Sequence, residues 1–300
     1  MPNFSQFSTT IIDQHHADIS DFITANKLPE PLHSACLYAM TNGGKRVRPL
    51  LIASSYATLT AHDIKTLPTS LPKSVCQAML TVECLHAYSL IHDDMPCMDD
   101  DDLRRGKPTT HIKFGEAAAL LAGDVLQTLA FEALSDEYLA DKTLSANLLT
   151  VFAPRAKRMV IGQMLDINGE QQTLDQSELE AIHRDKTGAL IEASVLMGGI
   201  CANATETQLQ ALAVFATNIG LAFQVQDDIL DVTADTEQLG KPAGSDEKLD
   251  KSTYVKLLGV EQAKTYAQSL FDTAKNAVIA EFGDTNYLVD LADWLWAREK

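Results

Sequence analysis

Two acidic clusters carry the most legible chemistry in this 300-residue chain. In the segment QVQDDILD, Asp227 and Asp231 stand four residues apart. On a helix that spacing puts both carboxylates on one face about one turn apart, with Asp228 about 100° around. Like charges so placed destabilise a helix unless a cation sits between them. The partial negative charge of a helix C-terminus disfavours them further. Oxygen-only donors of this kind suit Mg²⁺, which keeps several waters and takes one or two carboxylates together with substrate phosphates. A solvated acidic helix end is the alternative reading of the same residues.

The first cluster, IHDDMPCMDDDDLRRGKPTTH, needs more geometry. Asp93 and Asp94 end a long apolar stretch, and Asp99 follows Asp93 by six residues. On regular helix Asp93 and Asp99 would stand roughly 120° apart. A shared metal therefore requires the backbone to leave the helix between them. Pro96 supplies a reason, because proline removes a backbone donor and clashes with the preceding turn. Asp100, Asp101 and Asp102 are read as solvated or as partners of Arg104 and Arg105. The spacing of an EF-hand loop is absent.

The basic counterparts are compact. GGKRVRP (Gly43–Pro49) puts Lys45 and Arg48 on one face if it is helical, and its glycines let backbone approach an anion closely. It is not a Walker loop, since GxxxxGK[ST] is missing. Arg104 and Arg105 offer planar forks suited to phosphate oxygens. Lys186-Thr187-Gly188, Lys241 and Lys251 add cations in the second half. Singly these read as surface charges. Together they suggest two anion sites, one reached through metal and one through Lys and Arg directly.

The elements that must position these groups read as helices. Residues 75–92, 116–134 and 207–232 space apolar side chains by mixed threes and fours, without strand-like alternation. They are rich in good helix formers and apolar around much of their circumference, as in the interior of a bundle. Breaks are expected at 29–31, 42–44, 66–72, 96–108, 168–170 and 240–245. No βαβ alternation, fixed-period repeat or long linker divides the chain, so the expected fold is all-α, one domain over residues 1–300.

Composition narrows the partners. With 24 basic and 41 acidic residues the formal charge is −17, which argues against nonspecific binding to nucleic acid or anionic membrane. Multivalent cations would reconcile that charge with phosphate binding. The five cysteines show no CxxC pairing, no signal peptide opens the chain, and no run of 18 apolar residues interrupts it. A reducing, cytoplasmic location and no stable membrane insertion are expected.

GGKRVRP, HAYSLIHDDMPCMDDDDLRRGKPTTH, GQMLD, KTG and FQVQDDILD, in that order and over nearly the whole chain, resemble the trans-prenyltransferases, the isoprenoid diphosphate synthases. DDMPCMD carries two residues more than the usual DDxxD, as in the farnesyl-producing bacterial members of that family. The resemblance implies a bundle of long helices around a deep central cavity, usually as a homodimer. It implies condensation of isopentenyl diphosphate with dimethylallyl diphosphate and then geranyl diphosphate, giving farnesyl diphosphate. Geranyl and geranylgeranyl products are the alternatives.

The cofactor it implies is Mg²⁺, three ions per site, with Mn²⁺ as a substitute. Asp93, Asp94, Asp99, Asp166, Asp227 and Asp231 would be the metal carboxylates. Arg104, Lys186, Lys241 and Lys251 would meet the allylic diphosphate, with Thr187 and Gln224 near the reacting carbon. Gly44, Lys45, Arg48, His86 and Arg105 would form the isopentenyl diphosphate site. Tyr88, five residues before Asp93 and about 7.5 Å deeper along the helix, would floor the tail cavity beside Ser89. The sequence does not fix whether the basic tail Arg298-Glu299-Lys300 closes over the site. A terpene cyclase would need no isopentenyl site and typically carries an NSE-type second motif. A non-catalytic subunit would have lost an aspartate cluster. An acidic scaffold would bind metal without turnover.

Overall fold

In the computed structural model, residues 4–60, 71–170, 172–233 and 252–297 are described. Lys241, Lys251 and Arg298–Lys300 lie outside them, as do the expected break at 240–245 and most of that at 66–72. In chain order the helices are α1 (Phe4–Ala25), α2 (Leu32–Thr41), α3 (Val47–Thr60), α4 (Lys73–Asp93), α5 (Thr110–Phe114), α6 (Glu116–Glu132), α7 (Asp136–Leu139) and α8 (Lys142–Gly169). They continue with α9 (Gln176–His183), a π-helical turn (Arg184–Gly188), α10 (Ala189–Cys201), α11 (Glu206–Thr233), α12 (Tyr254–Leu258), α13 (Val260–Phe282) and α14 (Tyr287–Trp296). The fold is all-α. Its one exception among the described residues is a two-residue ladder, β1 (Leu103–Arg104) against β2 (Lys107–Pro108).

The three stretches picked out by apolar spacing are α4, α6 and α11, and their weak one-sidedness has a packing cause. α10 lies at the centre, against α3, α4, α8 and α11, and is buried around nearly its whole circumference. α4 packs on α3, α6 and α10, while α11 packs on α10 and α13. Helices with neighbours on several sides need apolar residues on several sides. α11 is 28 residues long and contains an 18-residue stretch of mean hydropathy 1.2, long and apolar enough for a membrane span, and it packs on α10 and α13.

Local chemistry sets the ends. Asp141 caps α8 by accepting from the Thr143 and Leu144 N–H groups, both at 3.0 Å. Asp175 and Glu178 form a reciprocal capping box on α9. α8 runs straight through Pro154. The chain ends are joined by Phe7 of α1 against Tyr287 of α14, ring centroids 4.5 Å apart.

Candidate active site

The end of α4 behaves as Pro96 requires. Beyond Asp93 the backbone folds back on itself, so that the Asp99 N–H donates to the Asp93 carbonyl at 2.9 Å and the Asp101 N–H to the Asp94 carbonyl at 3.2 Å. Asp93 and Asp99 thus come together by a closed loop rather than by helical spacing, and both are half-buried. Burial pushes the Asp93 carboxyl up to about 6; Asp99 adds to the rise, while Lys186 and Arg104 oppose it. A carboxylate that resists its own charge is poised to take a cation.

Asp94, one residue on, has a different setting. It is 3% exposed and accepts from Arg104 Nε at 2.5 Å, with a second contact from Arg104 Nη2. Arg104 Nη2 also lies 3.5 Å from Asp101 Oδ2, so Asp101 is a partner of the arginine rather than only solvated charge. The hairpin turn at Arg105 and Gly106, both with positive φ, separates the two arginines. Arg104 returns to Asp94, while Arg105 donates through Nη1 to the Gly43 carbonyl.

The π-helical turn carries Lys186 and Thr187, and α8 seats it. A Cβ on Gly162 would lie 2.1 Å from the Lys186 backbone nitrogen, so only glycine permits this approach. One turn along α8, Asp166 Oδ2 accepts from Lys186 Nζ at 2.6 Å. On the other side of Gly162, Arg158 Nε pairs with Asp185 at 2.7 Å and Arg158 Nη1 with Glu192 at 2.6 Å. Asp166 is therefore the counter-ion of Lys186 in this arrangement.

Below Asp93 opens a cavity of about 380 Å³, with Lys186 and Thr187 at its polar rim. Its walls are Tyr88, Leu120, Met159, Val160, Met164 and Ile167. Tyr88 stands edge-on to His92, centroids 4.9 Å apart, and Ser89 spends its hydroxyl on the His86 carbonyl at 2.9 Å. Gln163 also lines this cavity, and both atoms of its side-chain amide are buried without a hydrogen-bond partner among the described residues. Its place inside GQMLD was the only signal in the sequence.

A second cavity, about 450 Å³, gathers Gly44, Lys45, Arg48, His86 and Arg105, all five residues expected at the isopentenyl end. A Cβ on Gly44 would lie 2.7 Å from Arg105 Cζ, so the glycine is what lets the guanidinium lie against the loop. Burial pushes the Arg48 guanidinium down to about 10, against support from Glu83 and Asp227 and with Arg105 adding to the fall. Burial, then Arg48 and Arg105, holds the His86 imidazole well below its ordinary value, hence neutral near pH 7. Arg48 and His86 line both cavities, so the two meet there.

α11 supplies the remaining group. Phe223 lines the basic cavity, Asp227 lies four residues on along the same face, and Gln224 and Asp227 are both half-buried. Asp231 continues that row but is 5% exposed. Asp228 faces elsewhere and accepts the Tyr254 N–H at 2.7 Å, anchoring α12. Among the described residues no three His, Cys, Asp or Glu side chains form a closed metal cluster. The donors are carboxylates on separate elements, Asp93 and Asp99 on one and Asp227 on another. That open, oxygen-only set fits Mg²⁺, which completes its shell with water and phosphate, better than it fits a metal needing a protein cage.

Sequence and structure comparisons place this chain among known proteins. The polyprenyl synthetase family model matches residues 29–284. Farnesyl diphosphate synthase of Escherichia coli is 44% identical over 99% of this chain and 100% of its own length. The chloroplastic geranylgeranyl pyrophosphate synthase of Capsicum annuum is 41% identical over 91% of this chain and 73% of its own. A solved structure of Helicobacter pylori geranyltransferase complexed with magnesium and isoprenyl diphosphate superposes with a TM-score of 0.81 at 33% identity, covering 98% of this chain and 96% of that one. A family model matching most of this helical chain, with relatives above 40% identity over nearly its whole length, identifies the chain as a member of the polyprenyl synthetase family.

Proposed function

We propose that this prenyltransferase condenses isopentenyl diphosphate with dimethylallyl diphosphate and then with geranyl diphosphate, releasing diphosphate each time and ending at farnesyl diphosphate. The observation that carries the reading is the meeting of the two cavities at Arg48 and His86. One is cationic and accepts a diphosphate directly; the other is apolar with an acidic lip and accepts a prenyl tail.

Lys45, Arg48 and Arg105 bind the isopentenyl diphosphate with charge-assisted hydrogen bonds, and neutral His86 adds a donor without adding charge. Asp93, Asp99 and Asp227 would hold Mg²⁺, with Asp94, Asp166 and Asp231 as further carboxylates around it. Mg²⁺, or Mn²⁺ in its place, three ions per site, would supply charge neutralisation for the diphosphate leaving group when held by these carboxylates. Lys186 exchanges Asp166 for a diphosphate oxygen, with Arg104, Lys241 and Lys251 as additional cations. The allylic C–O bond breaks with its electron pair leaving on diphosphate. Thr187 Oγ1 and the Gln224 amide oxygen face the electron-poor carbon. The isopentenyl double bond then attacks it, and the released diphosphate takes the proton lost from the adduct.

Relatives with different products match at similar identity, so the tail cavity must decide the length. Tyr88 and Ser89 set its depth, and the Tyr88 ring stops a fifteen-carbon tail. Leu121 on α6 and Ile161 and Leu165 on α8 are exposed apolar residues and support a homodimer. Five free thiols suit a reducing cytoplasm.

The test is incubation of the purified protein with Mg²⁺, isopentenyl diphosphate and either allylic primer, with products identified by mass. Farnesyl diphosphate is expected, EDTA should abolish it, and Tyr88→Ala should shift the product to twenty carbons or more. Absence of condensation with both primers would refute the proposal.

A further inference from the structure

Of the three cations in GGKRVRP, the reading above uses Lys45 and Arg48 and leaves Arg46 without a role. Arg46 is 4% exposed, in a loop where Gly43, Gly44 and Arg46 all have positive φ. Such a conformation is unfavourable for an arginine and persists only when its surroundings fix it. Here they do. The Arg46 guanidinium contacts the Glu83 carboxylate through Nη1, donates to the Met40 carbonyl through Nη2 at 2.5 Å, and donates to His16 Nε2 through Nε at 3.3 Å. One side chain thereby ties the loop to α4, α2 and α1. Its own carbonyl accepts the Leu50 N–H at 3.0 Å, so it also starts α3, where Arg48 is the second residue.

Glu83 is equally committed. It is 4% exposed, lies one turn before His86 on α4, and lines the basic cavity. An unpaired carboxylate there would oppose any anion entering the cavity. Paired with Arg46, its charge is met by the closest contact in the buried pair, and this lessens its opposition to an anion in the cavity.

We infer that Arg46 and Glu83 form a positioning pair for the isopentenyl diphosphate end, holding the Gly43–Arg46 loop in its left-handed course so that Lys45 and Arg48 face the cavity. The inference rests on the function proposed above. It separates from a merely structural ion pair because a buried pair replaced by apolar residues of similar volume often costs no stability.

The experiment compares the parent enzyme with Arg46→Met/Glu83→Met and Arg46→Lys, reading thermal midpoint, kcat and the KM of each substrate. The double variant should melt close to the parent, with the KM for isopentenyl diphosphate raised about tenfold or more and that for geranyl diphosphate within about twofold. Arg46→Lys keeps the charge but loses the fork, so it should raise the isopentenyl KM several-fold and leave the geranyl KM alone. If the double variant does not fold, Arg46→Lys decides. A parent-like isopentenyl KM in the folded variant, or equal rises in both KM values, overturns the inference. A parent that condenses nothing overturns the proposed function itself, and this inference with it.

Discussion

The basic cavity and the acid-lipped cavity share Arg48 and His86 but prepare for an anion by different means. In the first, Lys45, Arg48 and Arg105 already stand around about 450 Å³ of space. Their crowding is relieved by holding His86 neutral and by Glu83 below. In the second, Asp93 lines the cavity and Asp99 is folded back beside it. Asp93 and Asp99 repel one another, and Lys186, the nearest cation on the rim, is already paired with Asp166. The difference lies in what completes each charge balance: protein side chains at one end, and an added cation at the other. The isopentenyl end should therefore bind its ligand without metal, and the allylic end should not.

Substitutions on either side should separate cleanly. Asp227→Ala, which removes the carboxylate proposed to hold metal on α11, is expected to lower kcat by about three orders of magnitude or more while the KM for isopentenyl diphosphate changes little. Arg48→Ala removes charge-assisted hydrogen bonds of about 1.5–3 kcal/mol and should raise that KM roughly 10- to 100-fold. Steady-state kinetics with each substrate varied in turn reads both. A large isopentenyl KM effect from Asp227→Ala, or loss of isopentenyl binding in EDTA by calorimetry, would break the distinction.

A smaller effect sharpens it. Gly162→Ala forces a methyl group against the Lys186 backbone nitrogen, where no side-chain rotation can relieve the contact. Overpacking of this kind costs about 1–3 kcal/mol. Because the strain falls on the turn carrying Lys186 and Thr187, kcat should drop roughly tenfold or more with the isopentenyl KM held. Equal losses in both would show that the turn and the basic loop move as one unit.

How far the sequence anticipated these two ends follows the same division. α4, α6 and α11 were legible because their apolar spacing is a local property, and α4 ends at Asp93 one residue past the expected stretch. The return of Asp99 to Asp93 was legible because Pro96 forbids the alternative. The partners of Arg104 and Arg46 were not, since Asp94 lies ten residues from Arg104 and Glu83 thirty-seven from Arg46. Nothing local says which arginine of a basic run turns inward. Pro154 sits inside α8 although proline removes a helical hydrogen bond, and the π-helical turn depends on Gly162 from another helix. Both are decided by tertiary contact, which residue spacing does not encode.

The smallest expected effect is on stability, and its sign differs between the two ends. Asp93 has a folded-state pKa near 6, raised by burial first and by Asp99, against an ordinary value of 3.8. The folded protein thus disfavours the charged form, so the cost is absent at low pH, grows as pH rises through that interval, and is complete above about 6. Glu83 is the reverse case. Burial pushes its carboxyl up, but Arg46, by charge and by hydrogen bond, outweighs this and holds it below its ordinary value, so it stabilises at neutral pH and loses that contribution as pH falls. In metal-free protein, Asp93→Asn should therefore raise the melting midpoint at pH 8 by roughly 2–4 °C, the equivalent of about 1 kcal/mol, and change it little at pH 4. Glu83→Gln should lower the midpoint at pH 8. Scanning calorimetry in EDTA at the two pH values measures both. Added Mg²⁺ should then raise the midpoint of the parent more than that of Asp93→Asn, because the cation relieves a charge the variant no longer carries. A midpoint that falls at pH 8 in Asp93→Asn would mean that Lys186 and Arg104 already balance Asp93, leaving the acidic end as ready for its anion as the basic one.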